Sequence, residues 1–302
     1  MMNEIFDELP QGLHLIDLPQ PRDGFWHFLS SWFFVDSQDR HILVDPGPAN
    51  TIPTLVNKLS SITKKLDIVL VTHIHLDHSG GIGHLCEEYP GAKVLAHHKA
   101  GRHLVDPKIL WEASVATIGE VALMYGEQKP IAQEKLLDYE SLSGIRVIET
   151  PGHAPHHLCF IVPFNGSKLF FSGDSAGLRQ PVSPGTMYLR PASPGQFDAF
   201  TALKSLSIME AAIQGDEWLC YAHWGAVRDS KDHIAAAKKQ IEYWLNAITK
   251  MKDSSLGQIA EYLISNDPYM AGHSALPEDI RLRELLLMEN GIKGFLAFIK
   301  GN

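Results

Sequence analysis

Apolar positions along this chain keep two rhythms. Short runs at residues 13–18, 32–35 and 41–44 read as strands, the last two joined by a Ser37-Gln38-Asp39 turn. Asp45-Pro46-Gly47 stops the third strand, and Ile52, Leu55, Val56 and Leu59 then recur at helical spacing over residues 50–60. The β-branched run at 68–71 suits a strand buried on both faces and ends in a polar, glycine-rich stretch over 72–83. A short helix at 82–89 and a strand at 93–96 follow.

The second half repeats this style. A strand at 145–149 leads into Thr150-Pro151-Gly152-His153, and strands at 158–162 and 168–171 flank Asn165-Gly166, a hairpin signal. The second of these runs into Ser172-Gly173-Asp174. A helix at 197–212 precedes a strand at 218–221 that ends in His223-Trp224-Gly225. From residue 229 the pattern is helical, with a stripe at Ile241, Trp244, Leu245, Ile248 and Met251. The expectation is a mixed α/β domain over residues 1–228 with a helical C-terminal extension, 229–302, packed on it. A homodimer through part of the stripe is compatible with the pattern. Residues 177–195, with Pro181, Pro184, Pro191 and Pro194, read as an irregular segment beside the site mouth. Tyr188 and Arg190 within it are candidates for substrate contact. The aromatic cluster Phe25, Trp26, Phe28, Trp32, Phe33 and Phe34 reads first as sheet packing.

Composition then narrows the chemistry. The 302 residues are 45% hydrophobic and 20% charged, an ordinary globular balance. Acidic residues outnumber basic ones, 35 to 26, for a net charge of -9, which disfavours nucleic acid and anionic membranes as partners. The acidic N-terminus lacks the basic and apolar regions of a signal peptide, and no long apolar run occurs, so a cytoplasmic protein acting on a small molecule is expected. Sixteen histidines stand beside three cysteines, Cys86, Cys159 and Cys220, none in a CxxC pair. Imidazole rather than thiolate is the ligand to look for.

Polar clusters directly follow strands in four places: His73-Ile74-His75-Leu76-Asp77-His78, His153, Asp174 and His223. Loops beyond strand ends are where side chains distant in sequence can converge. His73 and His75, two residues apart, project to one side of a strand terminus. Ser79-Gly80-Gly81 lets the chain turn behind them. Side chains of metal-ligand chemistry in this pattern point to a bound metal.

The set THxHxDHSGG, PGH, SGD and AHWG resembles the metallo-β-lactamase-fold superfamily over residues 12 to about 225. The resemblance implies a four-layer αββα sandwich with two divalent metal ions at one edge, between the sheets. It implies that His73, His75 and His153 hold the first metal, that Asp77, His78 and His223 hold the second, and that Asp174 bridges them. Asp45 would support the site without touching metal, and His157 would do the same. Zinc is the expected ion, and iron or manganese suits the same donors. Such a pair activates a bridging hydroxide to attack a carbonyl, with Asp77 able to accept its proton.

The branch most resembled is that of the glyoxalase II-like hydrolases, so an ester, thioester or lactone bond is the expected target. Ser175-Ala176-Gly177-Leu178 differs from the Thr-Leu-Phe of true glyoxalase II, and lactonases of this fold carry Tyr where Gly177 stands. His156 stands where the family's PGHxxGH pattern has glycine. A mononuclear iron persulfide dioxygenase is the alternative reaction, and a metal-containing binding protein without catalysis is the second alternative.

Overall fold

In the computed structural model, which describes residues 9–182 and 187–301, each half of the chain builds a five-stranded sheet. The first half runs β1 (His14–Asp17), β2 (Ser30–Val35), β3 (His41–Val44), α1 (Ile52–Ser60), β4 (Ile68–Leu70), α2 (Leu76–Ser79), α3 (Ile82–Glu88) and β5 (Lys93–Leu95). Three helices follow: α4 (His98–Val105), α5 (Lys108–Ile118) and α6 (Glu120–Tyr125). The second half runs β6 (Arg146–Glu149), β7 (Leu158–Phe164), β8 (Ser167–Gly173), β9 (Leu178–Pro181), β10 (Met187–Arg190), α7 (Ala199–Ala212), β11 (Trp218–Tyr221) and β12 (Ala226–Val227). The chain ends in α8 (Ser230–Lys250), α9 (Leu256–Asn266) and α10 (Glu278–Gly301). No helix among the described residues is long and apolar enough to cross a membrane.

The sheet orders are β1-β2-β3-β4-β5 and β12-β11-β8-β7-β6. Strand alternation sorts side chains between layers. Trp32, Phe34, Ile42, Val44, Ile68 and Leu70 from one sheet meet Leu158, Phe160, Phe171 and Trp218 from the other in a shared core. Their neighbours Phe33, Leu43 and Val69 face outward beneath Leu55, Leu59 and Leu85. On the far side Cys159, Ile161, Phe170 and Leu219 pack under Leu206, Met209, Ile234, Ile241 and Trp244. This is the expected αββα sandwich, with the C-terminal helices in the same apolar layer as α7. Of the aromatic cluster, Phe25, Phe28, Trp32, Phe33 and Phe34 are buried core residues.

Two expectations need correction. The segment over 177–195 is not irregular throughout: β9 and β10 within it pair antiparallel, with Tyr188 opposite Gln180 and Arg190 opposite Leu178. Proline at strand edges and turns is compatible with such a hairpin. Pro184 and the first eight residues lie outside the described residues. The sequence pattern also does not announce the helices α4 to α6; α5, the longest of them, buries none of its residues fully and so lacks a sharp apolar face.

Candidate metal centre

Parallel pairing brings the relevant strand ends side by side. β3 and β4 run parallel, as do β8 and β11, so each pair ends at the same sheet edge. Asp45 follows β3, and His73 and His75 follow β4. Asp77 and His78 sit on the single turn of α2, while His153, Asp174 and His223 follow β6, β8 and β11. The two halves of the sandwich thus converge on one edge.

Three ring nitrogens meet there. His73 Nε2, His75 Nδ1 and His153 Nε2 lie 3.0–3.1 Å from one another. Their tautomers follow from the opposite side of two of the rings. His153 Nδ1 is 2.9 Å from the Ala192 carbonyl, which can only accept, so its proton sits there and Nε2 is bare. Thr72 Oγ1 spends its proton on Asp45 Oδ2 at 2.6 Å, leaving it to accept from His73 Nδ1 at 3.1 Å. Burial first, then neighbouring histidines, hold His73 and His75 well below the usual histidine range. The bare nitrogens of His73 and His153, 3.1 Å apart, repel each other unless a proton on His75 Nδ1 or a cation stands between them. The donor set therefore fits a metal ion.

A second group adjoins the first. His78 Nδ1 faces Asp45 Oδ2 at 3.2 Å, so it donates there and Nε2 points inward. That Nε2 lies 3.6 Å from both Asp77 Oδ2 and Asp174 Oδ1 and is a sealed atom without a hydrogen-bond partner. His223 Nε2 lies 3.3 Å from Asp174 Oδ1 and 3.8 Å from Asp77 Oδ2. Asp174 straddles the groups, since its Oδ2 is 3.4 Å from His153 Nε2. Burial works against charging His78, but Asp77, Asp174 and Asp45 together outweigh it and lift its pKa to about 10. A proton thus balances the carboxylates of the metal-free chain at the place a second cation would take.

The supporting residues lie one layer back. Asp45 has a left-handed backbone, φ 52°, and takes the Thr72 N–H at 2.8 Å as well as the Thr72 hydroxyl. His157 Nε2 accepts the Asp174 N–H at 3.1 Å, and its Nδ1 meets Thr150 Oγ1 at 2.8 Å. Phe28 covers His223, with ring centroids 4.6 Å apart.

Tyr188 and Arg190 are placed otherwise than expected. Both are buried, and the Tyr188 hydroxyl (3.0 Å) and Arg190 Nε donate to Glu284 Oε2 on α10. They pin the β9–β10 hairpin to the last helix. A further group, His97, His98 and Glu149, also clusters. There His97 Nδ1 accepts the Lys99 N–H at 3.0 Å, so its Nε2 carries the proton and points at Glu149, 3.4 Å away. That arrangement caps α4 and leaves no bare His97 nitrogen toward Glu149.

Sequence reasoning missed the roles of Thr72 and of the Ala192 carbonyl. Thr72 lies inside the THxHxDH motif and was legible there, whereas a backbone carbonyl leaves no mark in a sequence.

The family model described as the Metallo-beta-lactamase superfamily matches residues 26–223. The chain is 33% identical over 147 residues to a metallo-beta-lactamase fold-containing protein of Sulfurisphaera tokodaii, covering 45% of this chain and 52% of that protein. It therefore spans about half the length of that relative. Identity to a hydroxyacylglutathione hydrolase of Francisella philomiragia is 24% over 210 residues, covering 70% of this chain and 69% of the relative. Among solved structures, an archaeal metallo-beta-lactamase superfamily protein from Sulfolobus tokodaii aligns with a TM-score of 0.65 at 23% identity, covering 97% of this chain and all of that one. A metallo-beta-lactamase family protein from Thermus thermophilus aligns at 0.59 with 19% identity, covering 92% of each. At such identities the structural likeness speaks for the fold.

Proposed function

The chain belongs to the metallo-beta-lactamase superfamily, and we propose that it is a metal-dependent hydrolase of a small-molecule ester, thioester or lactone. The observation that carries this reading is the convergence of seven donor side chains, His73, His75, His153, Asp174, Asp77, His78 and His223, with the inward nitrogens of His73 and His153 bare. Relatives named hydroxyacylglutathione hydrolase support hydrolysis of an acyl bond. His73, His75 and His153 would hold one divalent ion and Asp77, His78 and His223 the other, with Asp174 between them; zinc is the ion this donor set favours, with iron or manganese compatible. Two such ions supply Lewis acidity that brings the pKa of a water toward neutrality and polarises a carbonyl.

The protein's own groups do the rest. Ala192, Thr72 and Asp45 hold the ring protons on the far side of His153, His73 and His78, keeping the inward nitrogens available. Asp77 is the more open of the two carboxylates, 23% exposed against 5% for Asp174. It is the base placed to take the proton of the attacking water and pass it to solvent. His157 fixes Asp174 through its backbone N–H.

The test is metal analysis of the isolated protein together with an ester, thioester and lactone screen of the metal-replete form. Turnover that a chelator abolishes and zinc restores is expected. Full activity in metal-free protein would overturn the proposal. Iron with oxygen uptake on glutathione persulfide would replace it by a dioxygenase, and bound metal without any turnover would replace it by a binding role.

A further inference from the structure

One more polar residue sits on an element that packs against the centre, outside the ligand motifs. Tyr125 ends α6, which packs against α2, the turn that carries Asp77 and His78. Its ring is buried in the apolar layer that also holds Phe28, Ile74 and Leu76. Phe28 in turn covers His223. Gly126 directly follows with φ 87°, turning the chain away and leaving the tyrosine at the helix end.

The Tyr125 hydroxyl makes no hydrogen bond among the described residues, yet it is not one of the polar atoms sealed away without a partner. In a residue only 4% exposed, the oxygen therefore keeps a small accessible surface. Buried rings with a polar tip ordinarily spend that tip on the protein. Because α6 packs on the turn that carries Asp77 and His78, the tyrosine stands on the side of the molecule where the donor groups converge. Other donors are committed: the far nitrogens of His73, His78 and His153 serve Thr72, Asp45 and Ala192.

We propose that the Tyr125 hydroxyl donates a hydrogen bond to the acyl oxygen of the substrate and strengthens it as that oxygen gains negative charge. The inference rests on the hydrolase reading above and names a residue for it. The bond is a hydrogen bond throughout. Tyr125 keeps its proton, and no charge leaves the phenol. Burial and then Asp77 push ionisation of the phenol well above its ordinary value, so a neutral donor persists across the working pH range. A donor aimed at developing oxyanion charge acts on the transition state more than on the bound substrate.

The test is Tyr125→Phe, which keeps the ring and removes only the hydroxyl. The metal-replete variant should melt with the parent and lose roughly 10- to 100-fold in kcat with KM nearly unchanged. A phosphonate mimic of the tetrahedral oxyanion, followed by calorimetry, should bind the variant roughly tenfold more weakly, while the carboxylate product binds both alike. Parent-like kcat and phosphonate affinity in the variant would overturn the inference and leave the hydrolase reading intact. So would a kcat loss that disappears with acidic leaving groups, since the phenol would then serve the departing atom. Absence of turnover in the parent, by contrast, is a failure of the hydrolase reading itself, and the phosphonate measurement still decides whether the hydroxyl faces the ligand.

Discussion

Thr72 shows how a single hydroxyl sets the state of its neighbours. By donating to Asp45 it becomes an acceptor for His73, and Asp45 in turn accepts from His78, so one carboxylate orders two rings in different halves of the ligand set. Replacing Asp45 by Asn puts an amide N–H₂ where three donors converge. We expect Asp45→Asn to fold and to bind zinc ~10- to 100-fold more weakly, in the range found when such outer partners are lost. Competition against a chromogenic chelator measures this, and an unchanged affinity would remove Asp45 from the account. At this scale the sequence was informative wherever chemistry resides in a side chain. His73, Asp77, Asp174 and His223 could be singled out because their residue types are ligands and each follows a strand. Ala192 could not, because its contribution is a carbonyl that every residue possesses.

Among the elements, the join between the β9–β10 hairpin and α10 departs most from expectation. Glu284 is buried and takes bonds from Tyr188, Arg190 and Arg283, while Arg283 also donates to the Gly24 carbonyl. Glycine at position 24, with φ 79°, permits this close packing, since a Cβ there would lie 2.3 Å from the Asp279 carbonyl oxygen. Burial opposes the Glu284 charge, but Arg190 and Arg283 outweigh it and bring its pKa from 4.5 to about 2. A carboxylate with a depressed folded pKa stabilises the fold fully above its unfolded value. That contribution is lost as pH falls from about 4.5 toward 2. It amounts to about 3 kcal/mol. Glu284→Gln should therefore lower stability at neutral pH by about 3–5 kcal/mol, since it strands two buried guanidinium groups. It should also flatten the acid limb of the stability curve between about pH 4.5 and 2. Denaturant melts across that range provide the check, and an unaltered acid limb would contradict it. The sequence concealed this join. Tyr188 and Arg190 sit in a proline-rich stretch, and a charged residue at 284 on a helix looks solvent-facing until α10 is laid against the hairpin.

The whole molecule is a sandwich whose halves meet at the candidate donor groups. His73, His75, Asp77 and His78 come from the first half of the chain, and His153, Asp174 and His223 from the second. A metal bound between them ties the halves together and is held by the folded state alone. Binding at a thousandfold excess over Kd adds about 4 kcal/mol of stability. Stripping metal with a chelator should therefore lower Tm by several degrees and zinc should restore it, as scanning calorimetry would show; equal melting of both forms would mean that the groups hold no metal. The net charge of -9 also counts Asp77 and Asp174 as free carboxylates, so metal loading would leave a less acidic molecule.

The mixed α/β pattern and the residue types of the candidate donors could be read from the sequence by itself, because strand alternation and ligand chemistry are local properties readable within a few residues, while the four-layer order came with the family resemblance. Only the tertiary structure decided which ring nitrogen faces inward, that Tyr188 and Arg190 join α10, and that α6, ending in Tyr125, packs against the turn of Asp77 and His78. Each of those depends on a partner tens or hundreds of positions away, and what a polar side chain does is set by whichever group it meets when water is excluded.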